Sequence, residues 1–183
     1  MMEPILRVEC QEPEGNILRE IRLMPLSIEN MKFLWDKLSQ FPTLFDRHIV
    51  DIDDFSNTFL SQNSDGSLRP NGIIWGIDDV GIFYLTNIYP MYQATGHFTF
   101  WDRRFRGRRD LVRSMIKYVC KEFGFHRLVA EVPLYAMPTI HAMEGMGLIK
   151  EGRMRKATWY NGEWWDVNVY SVLEEEAESW VIG

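Results

Sequence analysis

The stretch that decides the fold runs from Gln93 to Gly124, QATGHFTFWDRRFRGRRDLVRSMIKYVCKEFG. Phe98 and Phe100 alternate with His97, Thr99 and Trp101, and a period of two predicts a strand. A turn follows in which Gly107 sits among Arg103, Arg104, Arg106, Arg108 and Arg109. Beyond it Leu111, Val112, Met115, Ile116, Val119, Cys120 and Phe123 recur at i, i+4 and i+8, the apolar stripe of an amphipathic helix. Asp110 suits the positive end of that helix, and Gly124 is its natural stop.

A strand, a glycine-bearing basic turn and a helix make an anion site. The helix start exposes backbone N–H groups and partial positive charge. Glycine lets a ligand approach the backbone closely, and arginine adds forked, charged donors. The turn alone also fits a plainer reading, a solvated basic loop that balances an acidic protein.

The rest of the chain extends this unit on both sides. Residues 1–16 carry Pro4, Pro13, Gly15 and several acids, and read as an extension without assigned structure. Ile17–Met24 reads as a strand, and Ser27 as the N-cap of a helix bearing Met31, Leu34, Trp35 and Leu38. A second helix from Asp51 to Leu60 turns Ile52, Phe55 and Phe59 to one side, and Ser61–Pro70 reads as a loop. Gly72–Ile77 and Val80–Ile88 form a hairpin around Asp78-Asp79. After Gly124, His126–Val132 is a strand, and Pro138 opens a helix ending near Gly145–Gly147. Leu148–Met154, Ala157–Tyr160 and Glu163–Leu173 are strand-like, with Asn161-Gly162 as the hairpin turn. Glu174–Glu178 reads as the start of a solvated acidic tail reaching to residue 183. The β-α-α-β-β-β-α-β-α-β-β order makes the strand before the basic turn parallel to His126–Val132 within a mostly antiparallel twisted sheet, with helices on both faces of a single α/β (α+β) domain.

Composition narrows the function classes. The 183 residues are 46% hydrophobic and 14% aromatic, enough for a real core. A net charge of -6 argues against bulk nucleic-acid binding and makes the arginine cluster a local feature. Cys10 and Cys120 are two thiols far apart, which predicts reduced, intracellular cysteines. No secretory leader pattern opens the chain and no long apolar run interrupts it, so a soluble cytoplasmic protein is expected, with no membrane partner.

The segment also resembles the acyl-CoA-binding strand–loop–helix of the Gcn5-related N-acetyltransferase (GNAT) superfamily. That loop follows Gln/Arg-x-x-Gly-x-Gly/Ala, and Arg104-Phe105-Arg106-Gly107-Arg108-Arg109 occupies it, matching at Arg104 and Gly107 and departing at Arg109. WDRRFRG resembles the lead-in common in the superfamily. Pro133–Gly152 resembles its later helix and strand, and GLIKEGRMRKATWYNGEWWDVNVYSVL resembles the last hairpin of the ribosomal-protein N-acetyltransferase branch.

The resemblance implies a GNAT-like acyl-CoA N-acyltransferase fold and acetyl-CoA or another acyl-CoA as cofactor. Backbone groups near His97 and Thr99 would pair with the pantetheine arm. The N–H groups of Phe105, Arg106, Gly107, Arg108 and Arg109, with Arg104, would hold the pyrophosphate. The reaction implied is acyl transfer to a primary amine of a small molecule or protein, with a base for the amine and an acid for the thiolate.

Three family positions depart. The acid tyrosine corresponds to Met143, the asparagine that opens the motif to Ala136, and the basic glutamate to Gln93. His97 and Glu131 are the remaining catalytic candidates. Their plainer roles are a hydrogen-bonded strand histidine and a solvent-facing acid. His141 reads as a surface or packing residue. Tyr135 and Tyr160 could reach a substrate, but nothing in their spacing singles them out. Asp51, Asp53 and Asp54 either attract a cationic acceptor or are simply solvated.

The departures keep a second function open, a GNAT-like module without catalysis that binds or scaffolds. A third, nucleic-acid binding through the arginines, conflicts with the overall acidity. A sheet edge or the late hairpin offers a surface for a homodimer.

Overall fold

Alternation builds the first element of the sheet in the segment that carried no sequence assignment. In β1, Leu6–Glu12, Val8 and Cys10 are buried while Arg7 and Glu9 are exposed. It pairs antiparallel with β2, Gly15–Met24, from Leu6 opposite Ile21 to Glu12 opposite Gly15. The computed structural model describes residues 3–12, 15–45, 48–102 and 104–182, so Arg103 lies outside the described residues.

Two short helices follow, each started by a side chain. The Ser27 hydroxyl accepts the Asn30 N–H at 3.2 Å and opens α1, Ile28–Leu38. After a 3₁₀ turn at Pro42–Leu44, the Asp51 carboxylate accepts the N–H groups of Asp53 and Asp54 at 2.9 and 3.0 Å and opens α2, Ile52–Phe59. The stretch expected as a loop contains a small hairpin, β3 (Leu60–Gln62) and β4 (Leu68–Pro70). Its turn is held by Asp65 accepting the Ser67 N–H at 2.9 Å beside Gly66, whose φ is +83°.

The main run is β5 (Ile73–Ile77), β6 (Gly81–Tyr89), β7 (Gln93–Phe100), α3 (Arg108–Phe123), β8 (Arg127–Pro133) and α4 (Met137–Met146). It closes with β9 (Ile149–Tyr160), β10 (Glu163–Leu173) and α5 (Glu174–Glu178). The segments on either side of Arg155 are one strand, with Lys156 at φ +50° marking a break in its register against β10. Asn161 and Gly162 both take positive φ, 50° and 86°, as a primed hairpin turn requires.

The eight-stranded sheet has the order β1-β2-β5-β6-β7-β8-β10-β9. Every pairing in it is antiparallel except β7 with β8. Neighbouring residues point to opposite faces, so Ile74 and Ile82 pack under α1 and α2 while Trp75 and Phe83 pack under α3 and α4. The residues read as an acidic tail pack instead. Ala177 is fully buried, the Lys117 ammonium donates to the Trp180 carbonyl at 2.6 Å, and the Arg113 guanidinium lies over the Trp180 ring. No helix among the described residues is long and apolar enough to cross a membrane.

Candidate active site

The parallel pair holds together for only part of its length. β7 and β8 pair at Gln93 with Arg127, Ala94 with Leu128 and Thr95 with Val129, and then separate. On its other side β7 stays paired with β6 as far as Phe100 opposite Gly81. The strands therefore splay into a wedge, and alternate residues of Gly96–Phe100 direct backbone N–H and C=O groups into it. Beyond the last pair, His97 and Glu131 stand at equal height on the two sides of the wedge. Both lie on the face covered by α1 and α2.

At the wide end, α3 begins with no side chain capping it, because its N-cap is Gly107. The first-turn N–H groups of an α-helix have no partner within the helix, so this end offers donors to an anion. Arg106, Arg108 and Arg109 are exposed around it and line a groove of about 680 Å³ along Thr99, Phe100 and α4. Arg109, where the family has glycine or alanine, is a wall of that groove.

Two residues of the turn do other work. Phe105 is 1% exposed, packs on Phe100 at 5.2 Å, and its N–H already bonds the Asp102 carbonyl at 3.3 Å. Its backbone donor is thus engaged within the turn. The Arg104 side chain pairs with Asp102 at 3.4 Å outside the groove.

Gly107 itself departs from the expected reason for a glycine. Its φ is -68°, which any residue adopts, and the space its missing Cβ would fill belongs to Cys10 of β1, with the Cys10 Cβ only 2.4 Å away. The Gly107 carbonyl also accepts the Cys10 thiol at 3.8 Å. Sequence reading missed this, because β1 had not been assigned.

A second groove, of about 1030 Å³, opens on the other face. It takes in His97, Glu131, Tyr84 and the α2 aromatics Phe55 and Phe59. Tyr135 and Leu44 line both grooves, so the two meet beside the wedge. Tyr135 stacks on Tyr160 at 4.3 Å and meets Trp165 edge-on at 5.7 Å. Its place at the junction depends on packing that the sequence does not display.

His97 stacks flat on Tyr84 at 4.5 Å, and its Nε2 bonds the Thr86 hydroxyl at 2.9 Å. Burial among these groups pushes its pKa down to about 4. The ring is therefore neutral at pH 7. Glu131 is exposed at the groove wall.

The structure does not bring the other positions into chemical use. Met143 is 4% exposed and packs in the core below the wedge. Ala136 caps α4 without a polar side chain, and Gln93 sits at the closed end of the wedge. His141 is exposed on α4 and lines neither groove. Asp51 is occupied in capping α2, and Asp54 accepts the Val50 N–H at 3.1 Å.

No sequence-family profile matches the chain. An uncharacterized N-acetyltransferase of Bacillus subtilis, YnaD, is 31% identical over 67 residues, 37% of this chain and 39% of that protein. The match thus spans well under half of the curated relative. Solved structures agree over far more of the chain. A chimera of spermidine N-acetyltransferase SpeG from Vibrio cholerae and hSSAT superimposes with a TM-score of 0.71 at 14% identity, covering 88% of this chain and 99% of that one.

The chain has the GNAT N-acetyltransferase fold. A GNAT-family acetyltransferase from Bacillus anthracis aligns with a TM-score of 0.64 at 18% identity over 93% of this chain and all of its own. Spermidine N-acetyltransferase from Vibrio cholerae in complex with CoA and spermine aligns with a TM-score of 0.68 at 15% identity, over 88% of this chain and 98% of that one. The splayed strand pair and uncapped helix are thus placed on a GNAT scaffold.

Proposed function

We propose that this protein is an N-acetyltransferase that moves the acetyl group of acetyl-CoA to a primary amine. The observation that carries the reading is the wedge between β7 and β8, with one groove on each side and Tyr135 where they meet. Similar proteins support it, since they are N-acetyltransferases and one was solved in complex with CoA.

The residues present fit the cofactor. The uncapped start of α3, with Arg106, Arg108 and Arg109, suits a diphosphate, and the unpaired edges of β7 and β8 suit the amides of a pantetheine arm. Acetyl-CoA supplies an acyl group activated as a thioester. The chain's own groups manage the proton and the geometry. An amine arriving as an ammonium gives up a proton on the α1–α2 face, where the Glu131 carboxylate takes it. His97, neutral and fixed by Thr86 and Tyr84, accepts a hydrogen bond from the incoming nitrogen and aims its lone pair into the wedge. As the N–C bond formed and the C–S bond broke, the proton shed by the nitrogen would pass to His97 and the Tyr135 hydroxyl would give its proton to the departing sulfur, a role Met143 is unable to fill; Tyr135 would then take a proton back from solvent in the groove, and His97 would release one to it.

A second reading follows from Met143 and Gln93, which leave family catalytic positions without a proton donor or base: a GNAT-fold module that binds acyl-CoA without turnover. Thiol release from acetyl-CoA, measured against a panel of amines, separates the two. Amine-dependent release that falls at least about ten-fold in Tyr135→Phe supports the enzyme. Acetyl-CoA binding with no release from any amine sinks it in favour of the module.

A further inference from the structure

We infer, resting on the acyl-transfer reading above, that the wedge ends in a recess for the acyl tail, and that the donor site takes propionyl-CoA in preference to acetyl-CoA. Gly96 carries the inference. It is the first residue of β7 beyond the last pair, Thr95 with Val129. Glycine weakens the interior of a strand, and there it marks a bulge, an unusual backbone angle, a close neighbour or a ligand. Gly96 pairs regularly with Leu85 and has no positive φ. Nor do its neighbours exclude a side chain. A Cβ would meet the Phe83 Cζ at 3.7 Å, the Leu85 Cδ2 at 3.9 Å and the Val129 carbonyl oxygen at 4.0 Å, all ordinary contacts. Gly81 of β6 shows the contrast, with the Thr99 carbonyl oxygen 2.5 Å from where its Cβ would stand. What remains for Gly96 is room for a ligand.

That room exists. A recess of about 20 Å³, lined by apolar residues, lies beside Gly96 on the face covered by α3 and α4, among Phe98, Val129, Met143 and Met146. Gly96, Phe98 and Val129 are only half-buried, unlike the core residues behind them. Phe98, Val112 and Met146 also line the groove of Arg106, Arg108 and Arg109, so the recess is the inner end of the cofactor groove. Its volume admits one group the size of a water molecule or a methyl, and the unbranched side chains of Met143 and Met146 adapt to what enters. One carbon beyond an acetyl group fits that space. His97 points to the opposite face of the sheet, so the amine would reach the carbonyl from one side while the tail lies on the other.

Calorimetric titration of the protein with acetyl-CoA and with propionyl-CoA tests this without an acceptor amine. Propionyl-CoA should bind about four-fold more tightly, the effect of one buried methylene. In Gly96→Ala the new methyl would occupy the recess at the ordinary contacts given above, so the variant folds. There propionyl-CoA should bind no better than acetyl-CoA, while acetyl-CoA affinity stays within about two-fold of the unmodified protein. Propionyl-CoA binding no tighter than acetyl-CoA in the unmodified protein overturns the inference and leaves the acyl-CoA reading standing. So does an advantage that survives Gly96→Ala, which would put the tail elsewhere. Loss of acetyl-CoA binding in that variant also overturns it, because the space would then serve the cofactor's arm. If neither thioester binds the unmodified protein, the cofactor reading itself fails and the inference with it.

Discussion

The requirement for glycine at position 107 is not the one the sequence suggested. The motif places a glycine at the start of a phosphate-binding helix. The structure adds that a methyl group there would meet the Cys10 Cβ at 2.4 Å. Gly107→Ala should therefore destabilise the fold by roughly 1–3 kcal/mol, read as a lower urea midpoint at unchanged slope. Cys10→Ala should fail to rescue it, because it removes the Sγ contact at 2.8 Å but retains the closer Cβ contact at 2.4 Å. Rescue by Cys10→Ala would show that the sulfur, and not the strand position, sets the constraint.

His97 makes a second prediction at this scale. Its folded pKa of about 4 lies below the ordinary value of 6.5, so the unfolded chain binds a proton that the folded chain refuses. Its contribution to stability is whole above pH 6.5 and is lost as pH falls toward 4, at up to about 1.4 kcal/mol per pH unit. The lowered carboxylates Asp102 and Asp166 act below that window. His97→Gln should flatten stability between pH 6.5 and 5 (the window set by His97). An unchanged slope would mean the ring is not desolvated.

At the scale of elements, periodicity made most of the fold legible. The helix at Arg108–Phe123, its glycine stop and the Asn161-Gly162 turn stand where the residues put them. Besides β3 and β4 in the stretch read as a loop, two elements were missed, for different reasons. In β1 the alternation was present, with Val8 and Cys10 inward and Arg7 and Glu9 outward, but nearby prolines and acids masked it. In α5 the three glutamates of the first turn suggest solvent, whereas Glu176 accepts the Leu173 N–H at 2.9 Å and turns Ala177 and Trp180 onto α3. That docking is tertiary and leaves no local pattern. Ending the chain after Leu173 should cost about 2–4 kcal/mol, seen as a lower melting temperature. A truncated protein that melts with the full chain would show the contact to be idle.

For the whole molecule, the site is a product of register. No local pattern states that β7 and β8 part after Thr95 and Val129, or that His97 and Glu131 then face one groove. Nor does spacing reveal that Tyr135 stands where both grooves meet. The cluster of arginines around Gly107 sits in a chain of net charge -6, so its potential is local and suits a small polyanion at the mouth of the wedge. Thermal denaturation with and without acetyl-CoA tests this most directly. At a concentration a hundred-fold above its Kd, acetyl-CoA should raise the melting temperature by about 5–10 °C, and Arg106→Glu with Arg108→Glu should abolish the rise. An unchanged melting temperature at millimolar acetyl-CoA would contradict the claim that the wedge between β7 and β8 is a cofactor cleft.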